Sequence, residues 1–139
     1  DGAFTMIAPE GWEVRELAGF KYNVIIGPAS SDFAPNLNFV DEAFAGSLED
    51  YVAANEKTIA KLLPNAKVTG QFDMTTVAGE PMIKMTVEDT QYDRDLLQVF
   101  YFCDGGARKW VVTYSRARDE DSKWDDVVDA AMQTFTLGK

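Results

Sequence analysis

One segment of the chain, Leu96 to Cys103, constrains the fold more than any other. It is rich in branched and aromatic side chains, and it is apolar at both odd and even positions apart from Gln98. Successive side chains of a β-strand point to opposite faces of a sheet. A strand that is apolar on both faces is buried on both sides. This segment therefore predicts a central strand with a packed layer on each face.

Three further strands are predicted around this segment, separated by turns that contain glycine. Gly79 lies where the first hairpin turns, and Asp104-Gly105-Gly106 is a second turn, because glycine accepts a positive φ without a Cβ clash. In the predicted strand from Pro81 to Asp89, apolar and polar residues alternate, which predicts that one face of this strand is exposed to solvent. The predicted ranges are Lys67 to Val77, Pro81 to Asp89 and Arg108 to Ser115.

Two segments have helical periodicity instead. Ser47-Leu48-Glu49-Asp50 resembles a capping box at the start of the first helix, and Pro64 ends that helix because it cannot continue the backbone pattern. Ser122-Lys123-Trp124-Asp125 repeats the pattern before the second helix. Its apolar stripe recurs at helical spacing and consists of Trp124, Val127, Val128, Ala131 and Met132. A short edge strand, Phe135-Thr136-Leu137, is predicted to follow.

The first third of the chain predicts short strands joined by turns. Pro9-Glu10-Gly11 turns the chain between the first two strands, and Trp12 is expected to pack at the edge of the sheet. The predicted strands are Phe4 to Ile7, Trp12 to Leu17, Phe20 to Ile26 and Leu37 to Phe44. The stretch Gly27 to Asn36 is a loop by composition.

Composition excludes several classes of function. The 139 residues are enough for one domain, and the formal net charge of −10 repels phosphate backbones, so nucleic-acid binding is not expected. The chain has no histidine, which removes Ser-His-Asp and Cys-His catalysis and histidine metal ligands. Cys103 is the only cysteine, and a buried structural thiol is expected. We predict no cofactor and no enzymatic activity; a hydrolase that uses paired carboxylates is the least favoured alternative.

Charged clusters are interpreted as solvated surface. The acidic run from Glu88 to Asp95 lacks the spacing of a calcium-binding loop, so a solvated turn is favoured over a calcium site. The acidic residues Asp119 to Asp121 are assigned to helix capping. The basic stretch consists of Arg108, Lys109, Arg116 and Arg118, and we expect it to flank a strand on its solvent side rather than to hold an acidic partner.

The order of elements, the Pro-Glu-Gly-Trp turn, the Ser-Leu-Glu-Asp-Tyr helix start and the final helix resemble the PsbP-like superfamily, and DcrB-like bacterial lipoproteins most of all. The resemblance covers about Phe4 to Leu137, so residues 1–139 are expected to form a single PsbP-like domain. It implies an α+β fold, a central antiparallel sheet with helices on both faces. Functions differ across this superfamily, and no residue role transfers from it.

The resemblance implies a non-enzymatic, extracytoplasmic binding or assembly protein, the soluble part of a bacterial lipoprotein. The chain begins at Asp1 rather than at methionine, which suggests a removed leader or lipid anchor or a trimmed N-terminus. A cytosolic, DcrB-like chaperone for secreted effectors is the alternative. We expect an unidentified protein partner, and we expect contact with a membrane only through that lipid anchor. The candidate partner-binding residues are Phe33, Phe20 and Tyr22. An aromatic residue on a loop, such as Phe33, marks a binding surface or plugs the end of the sheet.

Overall fold

The structure is a computed structural model that describes residues 4–29, 33–91, 93–118 and 124–137. Within these residues the chain forms two α-helices and strands of very different length. The elements in chain order are β1 (Phe4–Thr5), β2 (Glu13–Arg15), β3 (Val24–Ile26), β4 (Asn36–Ala43), α1 (Leu48–Leu62), β5 (Lys67–Thr75), β6 (Pro81–Gln91), β7 (Arg94–Asp104), β8 (Arg108–Ala117), α2 (Trp124–Gln133) and β9 (Thr136–Leu137).

Seven strands form an antiparallel sheet in the order β2-β3-β4-β8-β7-β6-β5, and β1 pairs with β9 in a separate two-stranded sheet. The predicted central strand is confirmed, since β7 pairs with β8 from Leu96↔Ala117 to Asp104↔Lys109 and with β6 on its other side. The two predicted hairpin turns are confirmed as well: Gly79 and Gly106 have φ values of +86° and +83°. The strands and hairpin turns from β5 to β8 are therefore those that the sequence predicts, whereas the pairing of β4 with β8 is seen only in the structure.

Two buried clusters divide the core, and neighbouring residues of one strand belong to different clusters. Tyr101 belongs to the first cluster and Phe102 to the second. The first cluster takes Val128 and Met132 from α2, and the second takes residues from the N-terminal half of α1. Both helices therefore bury their apolar side chains on β6, β7 and β8.

The caps and anchors of the helices follow from their sequence. The Asp50 backbone N–H donates to Ser47 Oγ at 3.0 Å, which confirms the predicted cap of α1. Residues 119–123, which include the predicted cap of α2 and the acidic run before it, lie outside the described residues. On α2, carboxylates tie the helix to the sheet: Lys84 Nζ donates to Asp129 at 2.9 Å, and Tyr101 Oη donates to the same group at 2.5 Å.

The opening segment folds back against the sheet through Trp12. The backbone N–H of Trp12 donates to the Pro9 carbonyl at 3.1 Å, and Gly11 takes a φ of +85°. Trp12 is 7% exposed. Its ring stands 5.7 Å from that of Trp124 and lies directly over Gly27. A Cβ atom at Gly27 would lie 2.5 Å from the indole, so only glycine lets the ring approach the backbone this closely.

The expected solvent-side position of the basic stretch is wrong for two of its members. Lys109 is 2% exposed, and its ammonium donates to the carbonyls of Phe44 and Gly106, which ties the β7–β8 hairpin to the end of β4. The Arg116 side chain is 11% exposed and binds the Asp125 carboxylate of α2. Hydrogen bonds to a helix or a carbonyl offset the cost of burying each charge, and sequence spacing cannot show such partners.

Two other predictions need correction. The acidic run is not wholly solvated, because Asp89 is 1% exposed. The strands of the first third are shorter than predicted, since β1, β2 and β3 contain only two or three residues each. The chain there runs in turns and extended segments, which apolar alternation does not distinguish from paired strands. Among the described helices, neither α1 nor α2 is long and apolar enough to cross a membrane.

We predict that Gly27→Ala destabilises the fold by about 1–3 kcal/mol, because the new methyl group displaces the Trp12 indole. Urea unfolding of the wild type, Gly27→Ala, Trp12→Leu and the double variant measures the effect as a double-mutant cycle. The smaller leucine side chain should relieve most of the cost of the alanine. Additive effects of the two substitutions would contradict the packing described for this pair.

Candidate functional site

The β2–β3 hairpin and its tip, residues 16–23, carry the exposed apolar side chains that most resemble a binding surface. The tip turns at Gly19, whose φ is +89°, and the Phe20 N–H donates to the Leu17 carbonyl at 3.2 Å. This turn directs two apolar side chains to solvent: Phe20 is 48% exposed and Leu17 is 39% exposed. Of the depressions beside the hairpin, two lie on opposite faces of the sheet.

The first depression, which we call the Phe20 groove, has a volume of about 260 Å³. Its floor comes from Val24 and Ile26, alternate residues of β3 that share one face of the strand. Phe20 and Leu17 form one wall. The remaining lining residues come from β4 and the loop before it: Ala34, Asn36 and Asn38. The groove is therefore a shallow apolar surface with an amide rim.

The second depression, which we call the Tyr22 cavity, has a volume of about 450 Å³. It opens on the other face of β3, the face that carries Ile25. The extended chain from Phe4 to Ala8 forms one wall, and the side chains of β2 and β4 complete the apolar part. Its polar lining residues are Thr5, Glu16, Lys21, Tyr22 and Asn23.

A buried carboxylate anchors the hairpin tip to the sheet. Asp41 has a side chain only 4% exposed, and its two oxygens accept from Lys21 Nζ at 3.1 Å and from Arg108 Nε at 2.9 Å. Burial raises the pKa of the Asp41 carboxyl, but hydrogen bonds from Arg108, Lys21 and Tyr22 outweigh it and hold the pKa below its usual value. The carboxylate is therefore charged at neutral pH and restrains the tip.

The structure brings two of the three predicted binding residues to this hairpin. Phe20 forms the wall of the Phe20 groove, whereas Tyr22 is 8% exposed and contributes to the core, with its ring 5.1 Å from that of Trp110. Phe33 lies apart from both depressions: it is partly buried, and the Arg94 guanidinium stands 5.5 Å from its ring centroid. Its neighbour Ala34 reaches the groove.

Sequence reasoning missed Leu17 and the link between Lys21 and Asp41. Leu17 and Phe20 flank the pair Ala18-Gly19, and two apolar residues on either side of a glycine turn were the available signal. No comparable signal exists for the ion pair, because Lys21 and Asp41 meet only after β3 and β4 have paired.

A third cavity of about 210 Å³ lies near Cys103 and the start of β6. The Cys103 thiol is free and buried, as predicted, and burial raises its pKa to about 12. A thiol with this pKa is protonated at neutral pH and is a poor nucleophile. Among the described residues, no three His, Cys, Asp or Glu side chains come together as a metal site.

No protein-family model and no curated protein matches the sequence. Solved structures do match. PA94, a protein of unknown function from Pseudomonas aeruginosa, has a TM-score of 0.70 at 18% identity over 88% of this chain and 94% of its own. LpqN of Mycobacterium tuberculosis, involved in cell envelope biogenesis, has a TM-score of 0.70 at 14% identity over 98% of this chain and 83% of its own.

The cyanobacterial PsbP of Synechocystis has a TM-score of 0.62 at 13% identity over 99% of this chain and 94% of its own. These identities are low, so the likeness concerns the fold and not the activity. The predicted PsbP-like fold is confirmed: the described part of the chain is an α+β structure with a mainly antiparallel sheet and two helices.

We predict that Asp41→Asn lowers the free energy of unfolding by about 1–3 kcal/mol at pH 7, because its two cationic partners lose a charged acceptor. The folded-state pKa lies below the unfolded value, so this stabilisation is present above about pH 4 and is lost as the pH falls through the folded-state pKa. Urea unfolding between pH 3 and pH 7 measures the difference.

Asp73→Asn is the matched control for this experiment, because Asp73 is an exposed carboxylate on edge strand β5. Its effect should be small at every pH. A deficit of Asp41→Asn that stays constant across the whole range would contradict the assigned role of the ionised carboxylate.

Proposed function

We propose that the chain is a non-enzymatic binding or assembly protein that acts outside the cytoplasm and holds a protein partner on the Phe20 groove. The observation that carries the proposal is the exposure of Phe20 and Leu17 beside an apolar floor. Burying a phenylalanine side chain in full contributes about 1.5–3 kcal/mol, and roughly half of that gain remains available at Phe20. Aromatic side chains often dominate protein interfaces.

The anchored hairpin supports this proposal, because a rigid tip loses less conformational entropy when a partner binds. Gly19 sets the turn, and Asp41 holds Lys21 against the sheet. A pre-organised aromatic wall converts more of its buried area into affinity than a mobile one. The net charge of −10 favours a partner whose surface carries positive charge, and it disfavours nucleic acid.

A non-enzymatic role is supported by the chemistry of the groove. Its described lining residues are Leu17, Phe20, Val24, Ile26, Ala34, Asn36 and Asn38, and none of these side chains titrates. Apolar side chains and amides contact a partner but do not transfer protons at neutral pH.

The extracytoplasmic location is supported by one structural neighbour, LpqN, which is involved in cell envelope biogenesis. We propose the same location for this chain, together with an N-terminal lipid anchor as its link to a membrane. A DcrB-like lipoprotein remains our prediction for its nearest relatives.

We also infer that the helices cover opposite faces of the sheet, which makes the domain an α/β/α sandwich. Neighbouring residues such as Tyr101 and Phe102 point to opposite faces, and they pack in the α2 cluster and the α1 cluster respectively. This arrangement supports the proposed function, because no residue of the described helices lines the Phe20 groove.

The second candidate function is a cytosolic chaperone for secreted effectors. The same observation favours it, since a chaperone of this kind needs an exposed apolar groove for its client. The two candidates make the same use of Phe20 and differ in cellular location. Location therefore decides between them.

Site-specific crosslinking tests the groove. We expect a photoreactive amino acid at position 20, in the full-length protein expressed in its own cells, to yield one reproducible protein adduct. Position 72 is the matched control, because Phe72 is 54% exposed but lies on the opposite edge strand. Leu17→Ser should reduce the adduct at position 20. Identical adducts at both positions, or none at position 20, would overturn the proposed partner surface.

The full coding sequence and cell fractionation test the location. We expect a secretion leader, with or without a lipobox cysteine, upstream of Asp1, and the protein in the envelope or extracellular fraction. A start codon next to Asp1 together with a cytoplasmic protein would contradict the extracytoplasmic proposal and favour the chaperone.

A further inference from the structure

We propose that the Tyr22 cavity is a binding site for a single fatty-acyl chain whose anionic head group lies at Lys21. The site is separate from the Phe20 groove, since the two depressions open on opposite faces of β3. Its volume of about 450 Å³ lies within the range of ~300–1,000 Å³ that ligand pockets occupy. An apolar cavity of ~150 Å³ already binds benzene, so this one has room for a longer hydrocarbon.

The cavity is apolar on one side and polar on the other, which is the division that an amphiphile needs. Its apolar side chains come from three directions: the opening segment, the edge strand β2 and the sheet interior. They are Phe4, Met6, Ala8, Val14, Ile25 and Phe39. Val14 is 56% exposed although it points toward this apolar surface, so water covers a place where hydrocarbon would be more stable.

The backbone around the cavity favours a hydrocarbon chain over a peptide. A peptide brings an N–H and a C=O at every residue, and each needs a partner once it is buried. Strand β3 pairs with β2 and β4, and β4 pairs with β3 and β8, so the ladder groups of the floor are already used. A fatty-acyl chain makes no such demand.

The head group is assigned by the charges at the polar end. Lys21 is 65% exposed, and its ammonium contacts Asp41, which Arg108 also binds at 2.9 Å. A ligand carboxylate could therefore pair with Lys21 without leaving Asp41 uncompensated. Glu16 is exposed and can turn to solvent. A carboxylate at Lys21 places the attached chain along Val14 and Ile25.

The wall formed by the opening segment is held more by packing than by hydrogen bonds, since the Phe4 ring stacks 4.6 Å from that of Phe39 and 5.3 Å from that of Phe135. Strand β1 contains two residues and pairs only with the equally short β9, and the Ile7 N–H donates to Thr134 Oγ1 at 2.8 Å. The acyl chain enters at the open side of the cavity, where Val14 is 56% exposed.

The test uses the fluorescent fatty acid parinaric acid, its methyl ester, and palmitic acid as a competitor. We expect parinaric acid to bind and palmitic acid to displace it. Val14→Asp should weaken the binding of both probes about tenfold or more, because a short side chain places a charge on the apolar wall. Val14→Trp, which removes space without adding charge, should weaken both as well.

Val40→Asp is the matched control, since Val40 is a 51% exposed strand valine outside the cavity lining. Its binding of both probes should stay within about twofold of the wild type. Lys21→Met should weaken the acid about threefold to fivefold, as expected for an exposed ion pair, and leave the methyl ester unchanged. Circular dichroism and thermal unfolding establish that each variant is folded.

Three results would overturn the proposal. The first is no binding of either probe to the wild type, and the second is an equal loss in Val14→Asp and Val40→Asp, which would place the probe elsewhere. The third is an equal effect of Lys21→Met on the acid and the ester, which would remove the head group from Lys21. None of these results bears on the crosslinking experiment at Phe20.

Discussion

The pairing of β7 with β8 supports the rest of the structure. This pair runs unbroken from Leu96↔Ala117 to Asp104↔Lys109 and carries buried side chains on both faces. Each helix buries its apolar stripe on one of the two clusters that meet there, and the buried Lys109 fastens the hairpin to the end of β4. Apolar burial on a double-sided strand pair is the main source of stability in such a fold.

The candidate binding surfaces lie where the helices no longer pack on the sheet. Helix α1 links β4 to β5, so it crosses toward the β5 edge and packs on β6, β7 and β8. The face of β3 that carries Val24 and Ile26 receives no helix residue in either cluster and forms the Phe20 groove. On the other face, the opening segment packs through Phe4 against Tyr22 and Phe39 and leaves the Tyr22 cavity beside it. The Phe20 groove therefore follows from the path of the connection through α1, and the Tyr22 cavity follows from the shortness of β1.

Local pattern was a good guide wherever a segment buries its side chains by itself. The two-sided strand, the glycine turns, the Ser47 cap and the terminal helix all appear at or near the predicted residues. The pattern failed where burial depends on distant partners. Lys109, Arg116 and Asp89 look like surface residues in the sequence, yet Lys109 and Asp89 are buried and the Arg116 side chain is only 11% exposed after the sheet brings other parts of the chain to them. Tyr22 is a core residue for the same reason.

The sequence by itself determined the order of elements and the central strand, because hydrophobic period and turn chemistry act over a few neighbouring residues. Its resemblance to the PsbP-like superfamily implied the fold class. Only the tertiary structure decided which aromatic side chains stay accessible. Phe20 and Tyr22 are two residues apart in one hairpin, yet one faces solvent and the other lies in the core. The contacts of the tip with Asp41 and of the opening segment with the sheet make that difference, and both join residues that are distant in the sequence.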